Sequence, residues 1–211
     1  SKLTSNDFEG LSIATWPNYY AWHIEHKKYI LDRINYPATV HNLDNQVFFK
    51  DKIKKLILPD NSISVFGYEN NKIILGYATL ADYDTQNKNL LQNFYEHIYE
   101  ILDKNNFFLI LKRKKKLGNI EIKRFRKFFD NFKKKNKVIF VDEDYAAEKI
   151  IKATKATISM PFTSTAFIAK KMNKPSIFYD PCKWINLKDP SSLGMEVFNC
   201  KENLNKWTET L

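Results

Sequence analysis

The feature that most constrains the fold is a regular alternation of short apolar strands and amphipathic helices that begins at Ser62. The apolar residues of each predicted helix recur at helical spacing, and each predicted strand has the length of a buried strand. The predicted strands are 62–68, 107–112, 137–141, 156–160 and 175–179, and the predicted helices are 87–104, 119–135, 145–153, 164–172 and a final turn or helix in ENLNKWTETL. Strands and helices that alternate at this spacing predict an α/β fold with a doubly wound parallel sheet.

The first 60 residues show a less regular pattern. It predicts a strand at 11–15, a turn at Trp16–Asn18, a helix from Tyr19 to Ile34 and a strand in ATVHNLDNQVFF. The polar segment KDKIKKLILPDNS, which contains Pro59, is a predicted domain boundary. The opening SKLTSNDFEG has no signal-peptide pattern and begins like a fragment, and no apolar run is long enough to predict a membrane span.

The charge of the chain leaves two classes of partner open. A net charge of +10 and a pI near 9.4 suit nucleic acid or an anionic membrane, but they also suit a solvated basic surface. Two cysteines, Cys182 and Cys200, are too few for a disulfide framework, which indicates a reducing cytosol.

The turn after strand 156–160 is the first candidate site. The string Pro161, Phe162, Thr163, Ser164, Thr165 opens a helix, and ligands of open parallel sheets bind beyond the carboxyl ends of the strands. Thr163 or Ser164 is suited to be an N-cap whose oxygen accepts a free backbone N–H. The alternative is that the hydroxyls and the helix N–H groups bind a phosphate.

Two further loops carry charge at the same edge. Lys112, Arg113 and Lys114 follow strand 107–112 and suit a phosphate or a carboxylate, although lysines are often only solvated. The residues Asp142, Glu143 and Asp144 follow strand 137–141, where they either cap the next helix or face a nucleoside with a carboxylate on the ribose.

Other familiar signatures are missing from the sequence. It contains no G-x-G-x-x-G segment, no Walker lysine loop and no G-x-S-x-G elbow, and its histidines form no triad or zinc pattern. No His or Cys lies at ligand spacing near the acidic loop, so no metal site is expected.

Three segments together, LILKRKKK, VIFVDEDYAAEKIIKAT and ATISMPFTSTAFIAKKMNKPSIFYDP, resemble bacterial polysaccharide biosynthesis proteins named for a PFTS motif, here residues 161–164. More distantly, residues 60–211 are similar to the C-terminal, nucleotide-binding half of GT-B glycosyltransferases that use CMP-activated acidic sugars such as Kdo, sialic or pseudaminic acid. The resemblance implies a Rossmann-like nucleotide-sugar domain at 61–211, a linker at 49–60 and, at 1–48, the tail of an N-terminal acceptor domain.

The resemblance also implies a function. In that group a hydroxyl pair at a helix start, here Ser164 and Thr165, binds the nucleotide phosphate. Many members carry a His-Pro pair in an earlier loop, where this chain has 112–114 instead. The implied enzyme is a metal-independent glycosyltransferase without a cofactor, which transfers an acidic sugar from a CMP-linked donor to a glycan or lipid-linked acceptor of a surface polysaccharide such as lipopolysaccharide or capsule. Its general base is expected in the N-terminal half, so no catalytic residue is assigned.

The expected location is the cytoplasm, with peripheral contact between the lysine-rich surface and the anionic inner membrane, and nucleic acid is not an expected partner. The alternative function is a non-catalytic basic α/β module that binds nucleic acid through helix 119–135 or acts as a scaffold. Thermal stabilisation by a nucleotide, but not by an oligonucleotide, separates the two.

Overall fold

The computed structural model describes residues 16–21, 24–42, 56–67, 80–112, 123–183 and 185–211. The elements in these residues, in chain order, are β1 (Asn18–Ala21), α1 (Ile24–Leu31), β2 (Thr39–Asn42), β3 (Ser62–Phe66), α2 (Leu80–Lys104), β4 (Phe108–Lys112), α3 (Lys123–Phe132), β5 (Val138–Val141), α4 (Ala147–Ala153), β6 (Ala156–Ser159), α5 (Ser164–Lys171), β7 (Ser176–Tyr179), a 3₁₀ turn (Pro190–Ser192), β8 (Val197–Phe198) and α6 (Lys201–Glu209).

Six strands form one parallel sheet in the order β5-β4-β3-β6-β7-β8. The chain enters at β3, adds β4 and β5 on one side, and then returns to place β6, β7 and β8 on the other side. Helices α2, α3 and α6 pack on one face, and helices α4 and α5 pack on the opposite face. The predicted α/β doubly wound parallel sheet is therefore confirmed.

Alternating side chains of the strands supply both cores. Ile63 and Val65 of β3 point to the α2 side, whereas Phe66 of β3 and Ile110 of β4 point to the α4 side, and all four side chains are buried. Strands buried on both faces are typical of parallel sheets, which explains why the strand sequences are almost continuously apolar.

Buried hydroxyls interrupt the apolar strands between β3 and β6. The Ser64 Oγ lies 2.9 Å from the Thr157 Oγ1, and the Thr154 hydroxyl donates to the Ser64 Oγ at 3.1 Å. Ser64 and Thr157 are also register partners across the two strands. Because a buried hydroxyl without a partner is costly, this network stabilises the register in which β3 lies beside β6.

The first predicted helix is wrong at its start. Tyr19 and Ala21 lie in β1, which pairs in parallel with β2, and both side chains are buried while Asn18 and Tyr20 are exposed. This alternation with a period of two belongs to a strand, and pairing with β2 overrides the helical spacing of the aromatic residues. The helix itself spans only Ile24–Leu31.

Other boundaries differ by smaller amounts. Helix α3 ends at Phe132 rather than at 135, because residues 133–135 form tight turns that lead to Lys137 with a φ of 57°. Helix α2 begins at Leu80, earlier than predicted, and the two-residue β8 has too little sequence to show a pattern. The predicted strand 11–15 and the first residues of helix 119–135 lie outside the described residues. The division at 49–60 stays a prediction.

Candidate functional site

The carboxyl ends of the six strands lie along one edge of the sheet, because all neighbouring pairs are parallel. This carboxyl edge carries, in sheet order, Asp142 after β5, Lys112 at the end of β4, Gly67 after β3, Met160 after β6 and Asp180 after β7. The strand order reverses between β3 and β6, and the helices that follow these two strands pack on opposite faces. A crevice at such a reversal is where open α/β sheets bind ligands.

The turn between β6 and α5, residues 160–163, contains a strained residue. The Met160 N–H donates to the Phe66 carbonyl at 2.8 Å and so continues the pairing with β3. Phe162 has a φ of 64°, a left-handed conformation that costs a bulky residue on the order of 1–3 kcal/mol. Its ring lies edge-on to Phe178 of β7, with 6.2 Å between the centroids. The contacts around Phe162 must therefore hold the turn in place.

Thr163 is the N-cap residue of α5, with extended backbone angles, but its side chain does not cap the helix. Its hydroxyl donates to the Met160 carbonyl at 2.8 Å. The prediction that the Thr163 oxygen accepts a backbone N–H is therefore wrong. The first turn of α5 also carries no acidic residue. Its N–H groups, which have no partner within the helix, thus keep their attraction for an anion.

Three hydroxyls around the turn form a directed chain of hydrogen bonds, which we call the hydroxyl relay. Thr165 donates to the Thr163 Oγ1 at 3.3 Å, and Thr163 donates to the Met160 carbonyl. The Ser159 Oγ lies 2.9 Å from the Thr165 Oγ1. Because a hydroxyl has one proton, Ser159 must be the donor in that pair. The relay uses the protons of Ser159, Thr165 and Thr163 inside the protein.

Ser164 differs from the other two hydroxyl residues of the motif. It is the first helical residue and is exposed, and none of the described residues forms a polar contact with its side chain. An anion at the start of α5 would meet the Ser164 hydroxyl together with the N–H groups of the first turn. In this arrangement Thr163 and Thr165 shape the turn, whereas Ser164 is free to donate.

Lys112 shares a register position with the relay. Ser159 pairs with Phe66, and Phe66 and Lys112 each come one residue after the paired Val65 and Leu111. Lys112, Phe66 and Ser159 thus form one row across three neighbouring strands, with side chains on the α4/α5 face. Two strand spacings separate Lys112 from Ser159, about 10 Å. A phosphate between them is within reach of the half-buried lysine. Arg113 and Lys114 lie outside the described residues.

The acidic loop lies farther away, at the edge strand β5. The Asp142 Oδ1 accepts the Asp144 N–H at 3.0 Å, and the Tyr145 N–H donates to the Asp142 carbonyl at 3.2 Å. Asp142 therefore stabilises its own turn, while Ala146 is the N-cap residue of α4 and Glu143 is half-buried. Three strand spacings, about 14 Å, separate this loop from β6, so the structure does not bring it together with the 161–165 motif.

The loop after β7 was not predicted as part of the site. The buried Asp180 accepts backbone N–H groups of Cys182, at 3.3 Å, and Ile185, at 2.8 Å, and so orders the chain beyond the strand. Burial, with the nearby Asp180 carboxylate, raises the pKa of the Cys182 thiol to about 11, against the opposite effect of a hydrogen bond with Asn93. Only an aspartate directly after an apolar strand could have indicated this loop.

Helix α2 contacts the same region through a histidine. The His97 Nδ1 lies 2.9 Å from the hydroxyl of Tyr179, the last residue of β7. Burial and then the positive charge of Lys201 lower the pKa of His97, while Glu100 and Glu96 act in the opposite direction. His97 lies on the α2/α6 side of the sheet, so it is beside the crevice and not on the α5 side with Ser164.

Gly67 marks the carboxyl end of β3. A Cβ at this position would meet the Tyr95 hydroxyl and would lie 3.3 Å from the Phe94 ring, both of α2. The close approach of α2 therefore requires glycine here. Since Phe94 and Tyr95 lie beside the end of β3, the helix residues before them extend beyond the carboxyl edge.

The described residues contain no group of three His, Cys, Asp or Glu side chains arranged to hold a metal ion. Nor is any described helix long and apolar enough to cross a membrane.

Solved structures similar to this chain include two of UDP-GlcNAc 2-epimerase from Methanocaldococcus jannaschii. One, in complex with UDP-GlcNAc and UDP, is 19% identical with a TM-score of 0.49 and matches 72% of this chain and 38% of that chain; the other is 17% identical with a TM-score of 0.49 and matches 72% and 39%. TarM is 10% identical with a TM-score of 0.42 and matches 98% of this chain and 37% of its own. The chain thus spans less than two fifths of these structures.

No curated protein matches the chain. A family profile, in contrast, matches residues 1–208, which is nearly the whole sequence and includes the Pro161–Ser164 turn. This chain belongs to the polysaccharide biosynthesis PFTS motif protein family.

Proposed function

We propose that this chain is the donor-binding part of a GT-B type glycosyltransferase that transfers an acidic sugar from a CMP-linked donor to a growing bacterial surface polysaccharide. The observation that carries the proposal is the start of α5. A helix N-terminus with no side-chain cap and no acidic residue lies beside the strand reversal, in a family of polysaccharide biosynthesis proteins. The CMP-linked donor is taken from the resemblance of residues 60–211 to transferases of acidic sugars.

The proposed chemistry follows from charge. When the bond between the anomeric carbon and the phosphate oxygen breaks, negative charge collects on the departing nucleotide. The N–H groups at the start of α5, the Ser164 hydroxyl and the Lys112 ammonium would stabilise that charge from fixed positions. These groups carry the whole stabilisation in the proposal, which therefore includes no metal ion and no cofactor.

The acceptor side of the reaction lies elsewhere in the proposal. The acceptor is a glycan or a lipid-linked sugar, and a general base outside residues 61–211 removes the proton of its hydroxyl. The enzyme works at the cytoplasmic side of the inner membrane, in peripheral contact with its anionic lipids. Asp142, Glu143 and Asp144 remain candidates for contact with the ribose or the base, at the far side of the same edge.

Thermal unfolding in the presence of a nucleotide panel tests the proposal. CMP at a hundredfold excess over its Kd should raise the Tm by roughly 5–10 °C. A shift with UDP or GDP but not with CMP would keep a nucleotide site and overturn the CMP donor. A shift only with an oligonucleotide would establish the nucleic-acid alternative, and no shift with any ligand would leave a scaffold. The Ser164→Ala and Lys112→Ala variants should each lose about half of the CMP shift, which corresponds to a roughly tenfold weaker affinity, and an undiminished shift in both would show that the assigned residues are wrong.

A further inference from the structure

Lysines crowd the edge of the sheet opposite the candidate site. Helices run antiparallel to the strands, so the last turns of the helices and the starts of the strands meet at this amino edge. The Phe108 N–H donates to the Asn61 carbonyl, the Leu109 N–H to Lys137 and the Lys155 N–H to Ser62, which places these loops side by side. We define the basic edge by its members: Lys104, Lys133, Lys134, Lys135, Lys152, Lys155 and Lys174.

Most of this charge is not neutralised by the residues that the structure describes. One ion pair of the described residues lies at this edge and joins Lys137 to Asp103 at 3.2 Å, and another joins Lys201 to Glu100 at 2.6 Å; the lysines that define the basic edge take part in neither. The other described carboxylates on this side, Asp60, Asp130, Glu196 and Glu209, are exposed and fewer than the lysines. The lysine ammonium groups therefore repel one another, and the basic edge has a net positive charge.

Helix dipoles explain only part of the basic edge. Lys104 and Lys152 lie in the last turns of α2 and α4, where a cation interacts favourably with the helix C-terminus. Residues 133–135 and 155 lie in loops beyond the last helical turns, which this effect hardly reaches. Lys174 also lies in a loop, but its Nζ donates to the carbonyl of Thr154, the C-cap residue of α4, at 2.7 Å. The other loop lysines therefore need another explanation.

The shape and chemistry of the basic edge fit a flat, diffuse anion better than a nucleic acid. Its lysines run from the start of β5 to the start of β7, four strand spacings or about 19 Å apart. The aromatic rings nearby lie beneath lysines: the Nζ of Lys135 is 4.3 Å from the Tyr99 centroid and that of Lys155 is 5.6 Å from the Phe107 centroid. These two rings of the described edge are thus covered and not offered for base stacking, and lysine contributes a point charge rather than the bidentate fork of arginine.

We propose that the basic edge docks onto the headgroups of an anionic lipid bilayer. This names the surface for the membrane contact of the proposed function. An anionic leaflet attracts several lysines that approach it in one plane, because each lysine near the surface increases the membrane affinity about fivefold. The α5 N-terminus lies at the opposite edge of the sheet, so the docked protein holds its nucleotide site away from the lipid and open to the cytosol.

Vesicle co-sedimentation of the full chain tests the docking without any nucleotide. Vesicles with 30% phosphatidylglycerol should bind the protein at low salt, whereas vesicles of phosphatidylcholine alone should not, and 0.5 M salt should release it. The triple variant Lys134→Gln, Lys152→Gln, Lys155→Gln should bind on the order of a hundredfold more weakly. A matched triple variant, Lys28→Gln, Lys183→Gln, Lys188→Gln, removes the same charge from other exposed places and should bind like the unchanged protein.

Each outcome of the binding experiments supports or contradicts the docking of the basic edge onto lipid. Equal losses in the two triple variants would show that total charge and not the basic edge governs binding, and no binding to anionic vesicles would also overturn the proposal. Tighter binding to a DNA duplex than to the vesicles, lost in the first variant, would assign the surface to nucleic acid. The Tm of each variant confirms that it is folded, and the CMP-induced shift reports the nucleotide site separately.

Discussion

The hydroxyl residues of the motif divide into two roles. Ser164 is exposed and donates to nothing among the described residues, whereas the protons of Thr163 and Thr165 are used in the hydroxyl relay. Ser164→Ala should therefore weaken CMP binding by about tenfold, the value of one hydrogen bond to a charged group, and leave the Tm unchanged. Calorimetric titration measures the affinity. Ser164→Thr keeps the hydroxyl and should bind normally; an unchanged Kd for the alanine variant would contradict the assignment.

Ser159 lies outside the motif but starts the relay from a fully buried position. Ser159→Ala removes the donor to Thr165 and should lower the free energy of unfolding by about 1 kcal/mol. Thr165→Val should cost a similar amount or more, because both neighbours lose a partner. The double variant should lose less than the sum of the two, since the residues share one network. Additive losses in urea unfolding would show that the relay is not a unit.

Phe162 allows backbone strain to be separated from packing. Its φ of 64° suits glycine, while its ring packs on Phe178. Phe162→Gly loses the ring and relieves the strain, whereas Phe162→Ala loses the ring and keeps the strain. The glycine variant should therefore be more stable than the alanine variant by about 1 kcal/mol, the reverse of the order in an ordinary strand or helix. Urea unfolding of the two variants measures this difference.

At the level of elements, helix α2 is tied to β7 and α6 by polar contacts. His97 bonds to Tyr179, Glu100 pairs with Lys201 at 2.6 Å, and Asn105 donates to Asn205 at 3.1 Å. These contacts join elements that are far apart in the sequence, so no local pattern could indicate them. Together with the apolar cluster beneath, they fix α2 where it passes the carboxyl edge.

The lowered pKa of His97 predicts a pH dependence of this arrangement. Burial disfavours the charged imidazole in the folded protein, so the unfolded chain binds the proton more readily. Stability should therefore fall as the pH drops below about 6.5, the unfolded value, and this loss should level off below the folded pKa. His97→Gln should flatten the unfolding free energy between pH 7 and pH 5. An equally steep profile in the variant would assign the effect to other groups.

Cys182 shows the chemical consequence of the ordered loop after β7. Its thiol pKa of about 11 leaves little thiolate at neutral pH, and the side chain is half-buried. In the folded protein iodoacetamide should therefore modify Cys182 far more slowly than a free thiol, and the rate should rise steeply up to pH 11. Mass spectrometry of the labelled peptide follows the rate. Asp180→Asn should accelerate labelling, because it removes the neighbouring negative charge.

For the whole molecule, the sequence predicted the class of fold but not the order of the strands in the sheet. Apolar strands and helical spacing located the elements after Ser62, since both follow from local burial. The reversal between β3 and β6 depends on long-range pairing, including the bond between Ser64 and Thr157, and left no local signal. The helical spacing around Tyr19 gave a wrong prediction for the same reason, because the strand partner of Tyr19 is Val40, which is distant in the sequence.

The candidate site was predicted in part. The motif gave the position of the turn, but residue types alone could not show that Thr163 donates its proton inward while Ser164 faces solvent. The acidic loop shows the converse: three carboxylates suggested a site, and the structure gives Asp142 a local role in its turn. Which hydroxyl or carboxylate is available is decided by three-dimensional partners.

Gly67 has a consequence for ligand selectivity at the carboxyl edge. Where β3 ends, Tyr95 and Phe94 leave no space for a side chain at residue 67, so the chain presents only main chain at that point. A peptide group is the same whatever the neighbouring residues, so this position distinguishes one bound molecule from another only weakly. Selectivity at this edge then depends on the side chains that flank Gly67.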